Sequence, residues 1–261
     1  MRTGLVLGLV LFAALAGSTA RAQRAREDAP PALPVRFERL TPREGLSQGT
    51  IHAVLQDRRG FWWLATEDGL NRYDGHSFTI FRRAPFDTTS LSANIVRGLY
   101  EDAHGVLWVA TEMGLDRMDP ATGTFRTWGL VAKGAGDARR LSMGHVFDVT
   151  GDREGGIWVT IIEGGVSRLD PRTGRFEHFR HDNGRLPSDT AYVVYTDPAG
   201  QVWAGTKAGL SRFDARTRTF RPVALGRDLR AGVGAMLADA GAPHVFWLAT
   251  TRGIVRFDTR T

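Results

Sequence analysis

The fold is decided by the stretch GVLWVATEMGLDR, residues 105–117, and by its counterparts elsewhere in the chain. Val106, Trp108 and Ala110 point to one side of the predicted strand, and the leucine and valine between them point to the other. Both sides are therefore apolar, although an antiparallel strand with one wet face should alternate apolar with polar residues. This strand is predicted to be covered by protein on both faces.

The same pattern recurs in five units along the chain. Successive tryptophans are separated by 45, 50, 45 and 44 residues, and in the first four units an aspartate lies six residues before the tryptophan. A glycine and an Arg-x-Asp triplet follow each tryptophan. The tryptophans are Trp63, Trp108, Trp158, Trp203 and Trp247, and the aspartates are Asp57, Asp102, Asp152 and Asp197. A repeat of about 45 residues is the length of a propeller blade.

Each unit is predicted to contain four short strands, A to D, separated by tight turns. In the first unit these are residues 51–56, 61–65, 70–73 and 78–81, with aspartate and glycine in the turns between them. The prediction is an all-β protein, a β-propeller of four-stranded antiparallel blades with five blade units present. The aspartates are interpreted as turn residues, and the tryptophans as wedges between blades because of their size.

The fifth unit stops at Thr261, before its own strand D. Two interpretations follow. The chain is part of a larger propeller, or residues 37–40 (FERL), which resemble a strand D, complete the last blade and close a five-bladed ring.

The N-terminus has the features of an export signal. Arg2 precedes an apolar run from Leu5 to Ala16, and Ala20-Arg21-Ala22 forms a small-x-small cleavage site. We expect residues 1–22 to be a signal peptide, 23–35 a proline- and charge-rich linker, and 36–261 the propeller repeats. The expected location is periplasmic or otherwise extracytoplasmic, without membrane contact by the mature segment.

Composition excludes several functions. There is no cysteine, which removes disulfides, thiolate zinc sites and cysteine nucleophiles. The net charge is +6, but the arginines are spread through the repeats, so nucleic acid is not a predicted partner. No metal, cofactor or catalytic constellation is predicted. His178 and His181 form an H-x-x-H pair, which on a strand end is a weak metal signal.

Binding is predicted where the units differ, on the face that carries the B–C turns and the D-to-A connections. The long connection from Gly129 to Met143 lies on this face. The candidate ligand-binding residues are Glu67, Asp68, Glu112, Met113, Glu163, Lys207, Arg252, Arg139 and Arg140.

The repeats resemble a known family. Residues 45–48 (GLSQ) followed by 54–75 (VLQDRRGFWWLATEDGLNRYDG) closely resemble the two-component regulator propeller repeat, and residues 105–117 and 200–212 look like further copies. The resemblance implies the periplasmic sensor region of a hybrid histidine kinase or related signalling protein. In that family seven-bladed propellers precede an immunoglobulin-like domain, a membrane helix and a kinase or cyclase output module, and the ligands are often glycan fragments.

The leading hypothesis is therefore a non-catalytic, extracytoplasmic propeller that senses a ligand for a two-component or diguanylate cyclase system. Its expected partners are a glycan or other small periplasmic ligand and downstream signalling domains in a longer parent, and a dimer is left open. The alternatives are an exported propeller enzyme of the lyase or lactonase type and a periplasmic protein-interaction scaffold.

Overall fold

The computed structural model describes residues 37–131, 140–142, 144–226 and 231–260. The predicted signal peptide and linker lie outside the described residues. One compact unit, Leu40–Thr261, holds every strand of the described residues and a short 3-10 helix, Pro42–Glu44.

Five sheets follow one another along this unit, each built from strands that are consecutive in the chain. The first blade contains β1 (Ile51–Gln56), β2 (Trp62–Thr66), β3 (Gly69–Tyr73) and β4 (Phe78–Phe81). The second contains β5 (Val96–Glu101), β6 (Leu107–Thr111), β7 (Gly114–Met118), β8 (Phe125–Val131) and β9 (Leu141–Ser142). The third contains β10 (Val146–Gly151), β11 (Ile157–Ile161), β12 (Gly165–Asp170) and β13 (Arg175–Phe179). The fourth contains β14 (Ala191–Thr196), β15 (Val202–Thr206), β16 (Gly209–Asp214) and β17 (Thr219–Pro222). The fifth contains β18 (Val233–Asp239), β19 (Ala242–Thr250) and β20 (Gly253–Asp258).

Neighbouring strands within each blade pair antiparallel, except that β9 adds to β8 in parallel. Successive blades pack through their first two strands, with β1 and β2 against β5 and the later blades likewise. The predicted all-β propeller is confirmed. In the described residues, however, the fifth blade has three strands and the second has five.

The repeated tryptophan of strand B is the wedge between a blade and the next one. Trp63 is 1% exposed and packs with Val96, Leu107 and Val109 of the second blade. Trp108 and Trp158 lie equally buried between the next pairs of blades. Strand B is buried on both faces because the preceding blade covers the residues that alternate with the tryptophan. Because a blade covers each face of strand B, both faces carry apolar residues.

A hydrogen bond explains the spacing between aspartate and tryptophan. One oxygen of Asp57 accepts the backbone N–H groups of Arg59 and Phe61, and the other accepts Nε1–H of Trp63 at 2.9 Å. The bond recurs in all five blades, at 3.0 Å for Trp108, 2.7 Å for Trp158, 3.0 Å for Trp203 and 3.0 Å for Trp247. In the fifth blade the acceptor is Asp239, eight residues before Trp247. The two extra residues of that turn leave the contact intact.

The B–C turn is stabilised by a threonine and a glycine. Thr66 Oγ1 accepts the N–H of Asp68 at 3.1 Å and donates to the carbonyl of Gly69 at 2.9 Å. Gly69 adopts φ +104°, and a Cβ at this position would meet the carbonyl oxygen of Phe81 at 2.4 Å. Only glycine fits both the backbone angle and the space.

Gly69→Ala is therefore expected to lower the free energy of unfolding by about 2–3 kcal/mol, from left-handed strain and overpacking together. Gly60→Ala is the matched control, because Gly60 has φ +91° and nothing within 4 Å of the added methyl group. Urea denaturation of both variants measures the difference. Equal losses would show that backbone angle, and not the close approach to Phe81, determines the residue.

A Leu-Ser pair ties the segment that precedes strand A to its blade in each of the first two blades. Leu46 and Leu91 are buried, and Ser47 donates its N–H to Asn71 Oδ1 at 2.9 Å. In the second blade Ser92 makes the equivalent bonds to Asp116, with its N–H at 2.9 Å and its hydroxyl at 2.8 Å. The first blade therefore holds an amide where the second holds a buried carboxyl group.

Two outer faces remain uncovered among the described residues. On the first blade Ile51, Val54 and Trp62 are 41%, 55% and 43% exposed, whereas Val96 and Leu107 at equivalent positions of the second blade are buried. On the fifth blade the exposed residues are Leu237, Trp247 and Ile254.

Residues 37–40, the proposed closing segment, form no strand. Thr41 and Glu44 form a capping box that begins the 3-10 helix directly after this segment. Leu46 and Ser47 then attach the chain to the first blade. The alternative of a five-bladed ring closed by this segment is therefore not adopted.

Candidate functional site

A β-bulge near the start of strand A gives every blade one residue that stands outside the ladder. In the first blade Ile51 pairs with Thr66 and Ala53 with Ala65, so His52 has no partner across the strands. The same shift occurs in the other four blades. The bulged residues are His52, Arg97, Phe147, Tyr192 and Gly234. Bulges re-aim side chains and often lie beside functional sites. We call His52, Arg97, Phe147 and Tyr192 the bulge row.

Arg97 connects the first three blades. Its Nη1 lies 3.2 Å from His52 Nε2, its Nη2 donates to Glu112 Oε1 at 3.4 Å, and its guanidinium carbon lies 5.8 Å from the centre of the Phe147 ring. The Arg97 side chain is 24% exposed, and its Nε is buried without a hydrogen-bond partner among the described residues. A guanidinium held between a carboxylate and an aromatic face is fixed in orientation but keeps donors for a ligand.

The acidic B–C turns complete the row on one side. Glu67 Oε1 lies 3.6 Å from His52 Nε2, and Glu112 Oε1 lies 4.0 Å from His145 Nδ1. The line from Glu67 through His52 and Arg97 to Glu112 therefore sets carboxylate acceptors at both ends and the guanidinium donors of Arg97 between them, across two blades. Such an arrangement can exchange hydrogen bonds with a polyhydroxylated or polar ligand.

The other end of the row is aromatic. Phe147 and Tyr192 make an edge-to-face contact, with ring centres 6.3 Å apart at 75°. Both residues are half-buried. Beside them Asp148 accepts the N–H of Val194 at 3.1 Å and links the third blade to the fourth. Burial raises the pKa of Asp148 to about 6. Half-exposed aromatic rings beside charged groups can stack on the apolar face of a ligand.

The structure brings two of the predicted binding residues, Glu67 and Glu112, into this network. Asp68 is engaged elsewhere, in an ion pair with Arg82 at 2.8 Å. Met113 is 57% exposed on the second B–C turn. Glu163, at φ +65°, Lys207 and Arg252 are exposed on later B–C turns, and Arg140 is exposed at the long connection. Arg139 lies outside the described residues. These residues therefore form a dispersed rim and not one cluster.

Sequence reasoning missed the bulge row itself. Its signal was present, because the second residue of strand A changes from histidine to arginine, phenylalanine, tyrosine and glycine while the residue before it is always apolar. The bulge that turns this position out of the ladder depends on backbone geometry, which the pattern of residue types does not encode.

The H-x-x-H pair is not assembled as a metal site. His178 Nδ1 lies 2.9 Å from Ser167 Oγ, and burial lowers the pKa of His178 to about 4. Within the described ranges, no three histidine or acidic residues are grouped as metal ligands would be. No helix in those ranges is long and apolar enough to span a bilayer.

Comparison with known proteins identifies the repeat. The family described as "Two component regulator propeller" matches residues 45–68 and 90–113, which run from the Leu-Ser connection to the B–C turn of the first two blades. These two segments match the repeat of that family, and the resemblance seen in the sequence is confirmed. A histidine kinase P4 of Formosa agariphila is 48% identical over 56 residues, which are 22% of this chain and 4% of that protein.

Solved structures give the wider context. The extracellular domain of a protein described as a hybrid two component system from B. thetaiotaomicron has 25% identity and a TM-score of 0.61 over 85% of this chain. PorZ of Porphyromonas gingivalis, a component of the type-IX secretion system, and virginiamycin B lyase from Staphylococcus aureus share the fold. Their identities are 18% and 13%, with TM-scores of 0.58 and 0.57 over 80% of this chain.

The chain spans about a third of the first two of these solved chains and a larger part of the lyase. It covers 35% of the B. thetaiotaomicron extracellular domain, 32% of the PorZ chain and 70% of the lyase. The class that the fold and the matched segments define is therefore a β-propeller with two-component regulator propeller repeats, and it is similar to the extracellular domain of a hybrid two component system.

Proposed function

We propose that this protein is the non-catalytic, ligand-sensing propeller of an extracytoplasmic two-component or diguanylate cyclase receptor, and that its ligand binds at the bulge row. The observation that carries the proposal is the convergence of His52, Arg97, Phe147 and Tyr192 from four blades on the B–C turn face. The match to the two-component regulator propeller model and the similarity to the extracellular domain of a hybrid two component system support the proposal that the protein belongs to a receptor.

The proposed ligand is a glycan fragment. The row offers two aromatic rings for the C–H face of a sugar, and Arg97, His52 and Glu67 to hydrogen-bond its hydroxyl groups. A ligand that contacts several blades would also bridge inter-blade interfaces. Binding at this position can therefore bias the packing of one blade on the next, which is a physical route from ligand to downstream domain.

We also propose that further blades of the same repeat complete the propeller. The exposed face of the fifth blade carries Trp247, and in the inner blades the face with the equivalent tryptophan packs against the next blade. The exposed face of the first blade carries Trp62, and in the inner blades the equivalent face packs against the tryptophan of the preceding blade. The two faces carry exposed apolar side chains that inner blades bury. Export, a periplasmic location and downstream output domains belong to the same proposal.

Substitutions in the bulge row test the site. The full chain is titrated calorimetrically with neutral and acidic oligosaccharides, from xylotetraose to trigalacturonate. We expect the oligosaccharides that bind to do so at a single site. Phe147→Ala and Arg97→Gln should each weaken it by about tenfold or more, equivalent to roughly 1.4 kcal/mol. Arg216→Gln, an exposed arginine of a C–D turn, is the control and should bind as the wild type does. Unchanged binding in both row variants, or no binding by any oligosaccharide, would overturn the assignment.

A further inference from the structure

A second concave site lies on the opposite face, between the second and third blades. It is a groove with a cavity volume of about 570 Å³, lined by the A–B turns of both blades and the C–D turn of the third. The volume falls in the range of small-molecule sites. None of the bulge-row residues lines it.

Two arginines in this groove face each other without a counter-charge. Arg117 of β7 and Arg126 of β8 are direct cross-strand partners, and like charges in this position destabilise a sheet. Neither side chain has a hydrogen bond or ion pair to another described residue. Arg126 lies over the ring of Trp128, with its guanidinium carbon 4.8 Å from the ring centre, so its plane is oriented while its N–H donors stay free.

The equivalent positions of other blades are compensated. The pair is Arg72 and Thr79 in the first blade and Arg168 and Glu177 in the third. The fourth blade repeats the arginine pair as Arg212 and Arg221, but Asp214 neutralises Arg221 at 2.8 Å. Of these four blades, only the second keeps two arginines without an ion pair among the described residues, and both arginines line the groove.

The carboxylates of the groove do not supply the missing charge. Asp102 accepts the indole N–H of Trp108 and two backbone N–H groups, and Asp152 and Glu154 are both bound by Arg168, at 2.6 Å and 3.0 Å. Asp170 is occupied by Arg172. These carboxylates are therefore all engaged by other donors of the protein, and none of them pairs with Arg117 or Arg126 among the described residues.

We propose that this groove is a second ligand site, in which Arg117 and Arg126 together bind an anionic group of the carboxylate, sulfate or phosphate class. Two guanidinium groups on adjacent strands match the paired oxygens of such a group. The ligand would remove a repulsion that the fold otherwise retains. The site goes beyond the sensing role of the bulge row and does not depend on it.

Thermal unfolding and titration calorimetry of the full chain test the proposal. Sodium sulfate, inorganic phosphate and galacturonate are compared at constant ionic strength set with sodium chloride, with galactose as the neutral probe. We expect a saturable rise in Tm with at least one anion and none with galactose. The anion that raises the Tm shows whether the site binds a sulfate, a phosphate or a carboxylate group. Arg117→Gln and Arg126→Gln should each weaken this binding at least tenfold.

Two controls separate binding from structure. Arg212→Gln changes the same strand position in the fourth blade and should leave anion binding intact. Arg117→Gln should not lower the Tm measured without added anion, because it removes a like-charge pair. Oligosaccharide binding at the bulge row should be unchanged in both groove variants. The proposal fails if the anions act equally on wild type and variants, or if their effect follows ionic strength alone.

Discussion

Replacement of Trp108 by alanine is expected to lower the free energy of unfolding by about 3–5 kcal/mol, whereas the same change at Trp247 should cost less than about 2 kcal/mol. Trp108 is fully buried between the second and third blades and packs against Trp128, with ring centres 5.6 Å apart. Trp247 occupies the same repeat position but is 40% exposed. The cavity left at position 108 cannot collapse between two rigid sheets.

The comparison is matched because both indoles donate to an aspartate at 3.0 Å. Loss of that bond contributes to both variants, so the difference between them measures inter-blade burial. Urea denaturation followed by tryptophan fluorescence and circular dichroism gives the two values. Equal losses would show that the Trp247 face is covered in solution, in conflict with its exposure in the structure.

The second large effect is a gain in stability from Asp116→Asn. Asp116 is fully buried, and burial raises its pKa to about 6 despite hydrogen bonds from Ser92 and Thr127. In the unfolded chain the group titrates near 3.8. Between these values the folded state binds the proton that the unfolded state has lost, so stability falls as pH rises from about 4 to about 6. Above pH 6 the cost reaches about 3 kcal/mol.

Asparagine removes this cost, and the first blade shows that it fits. Asn71 holds the same position and exchanges hydrogen bonds with Ser47 at 2.9 Å and 2.7 Å. We expect Asp116→Asn to raise the unfolding free energy at pH 7.5 and to flatten the decline between pH 4 and 6. Because burial also raises the pKa of Asp148, the unfolding free energy of the variant should still decline somewhat between pH 4 and 6. Asp182→Asn, an exposed loop position, is the control. A variant less stable than wild type at pH 7.5 would contradict the electrostatic account.

The sequence predicted the propeller because its determinants are local and repeated. The turn aspartates and the tryptophans recur at fixed spacing, and the Asp-to-Trp hydrogen bond explains why the interval is kept. Apolar residues on both faces of strand B follow from cover by two neighbouring blades. These relationships need only residue type and distance along the chain.

The candidate site was predicted only in part, for a physical reason. Glu67 and Glu112 belong to B–C turns, which the repeat locates directly. Arg97 and Phe147 meet because bulges turn them out of two different blades, and their contact depends on how the sheets twist against each other. The arginine pair of the groove was likewise hidden, since the cross-strand register of Arg117 and Arg126 sets it.

Hydrogen exchange of the full chain, with and without the tightest oligosaccharide, tests the central claim most directly. The sensing account predicts protection in peptides that contain the bulged starts of the first four A strands, residues 51–53, 96–98, 146–148 and 191–193. It predicts no change at the A–B turns on the opposite face. Protection confined to those turns, or absent from all four A strands at saturating ligand, would contradict it.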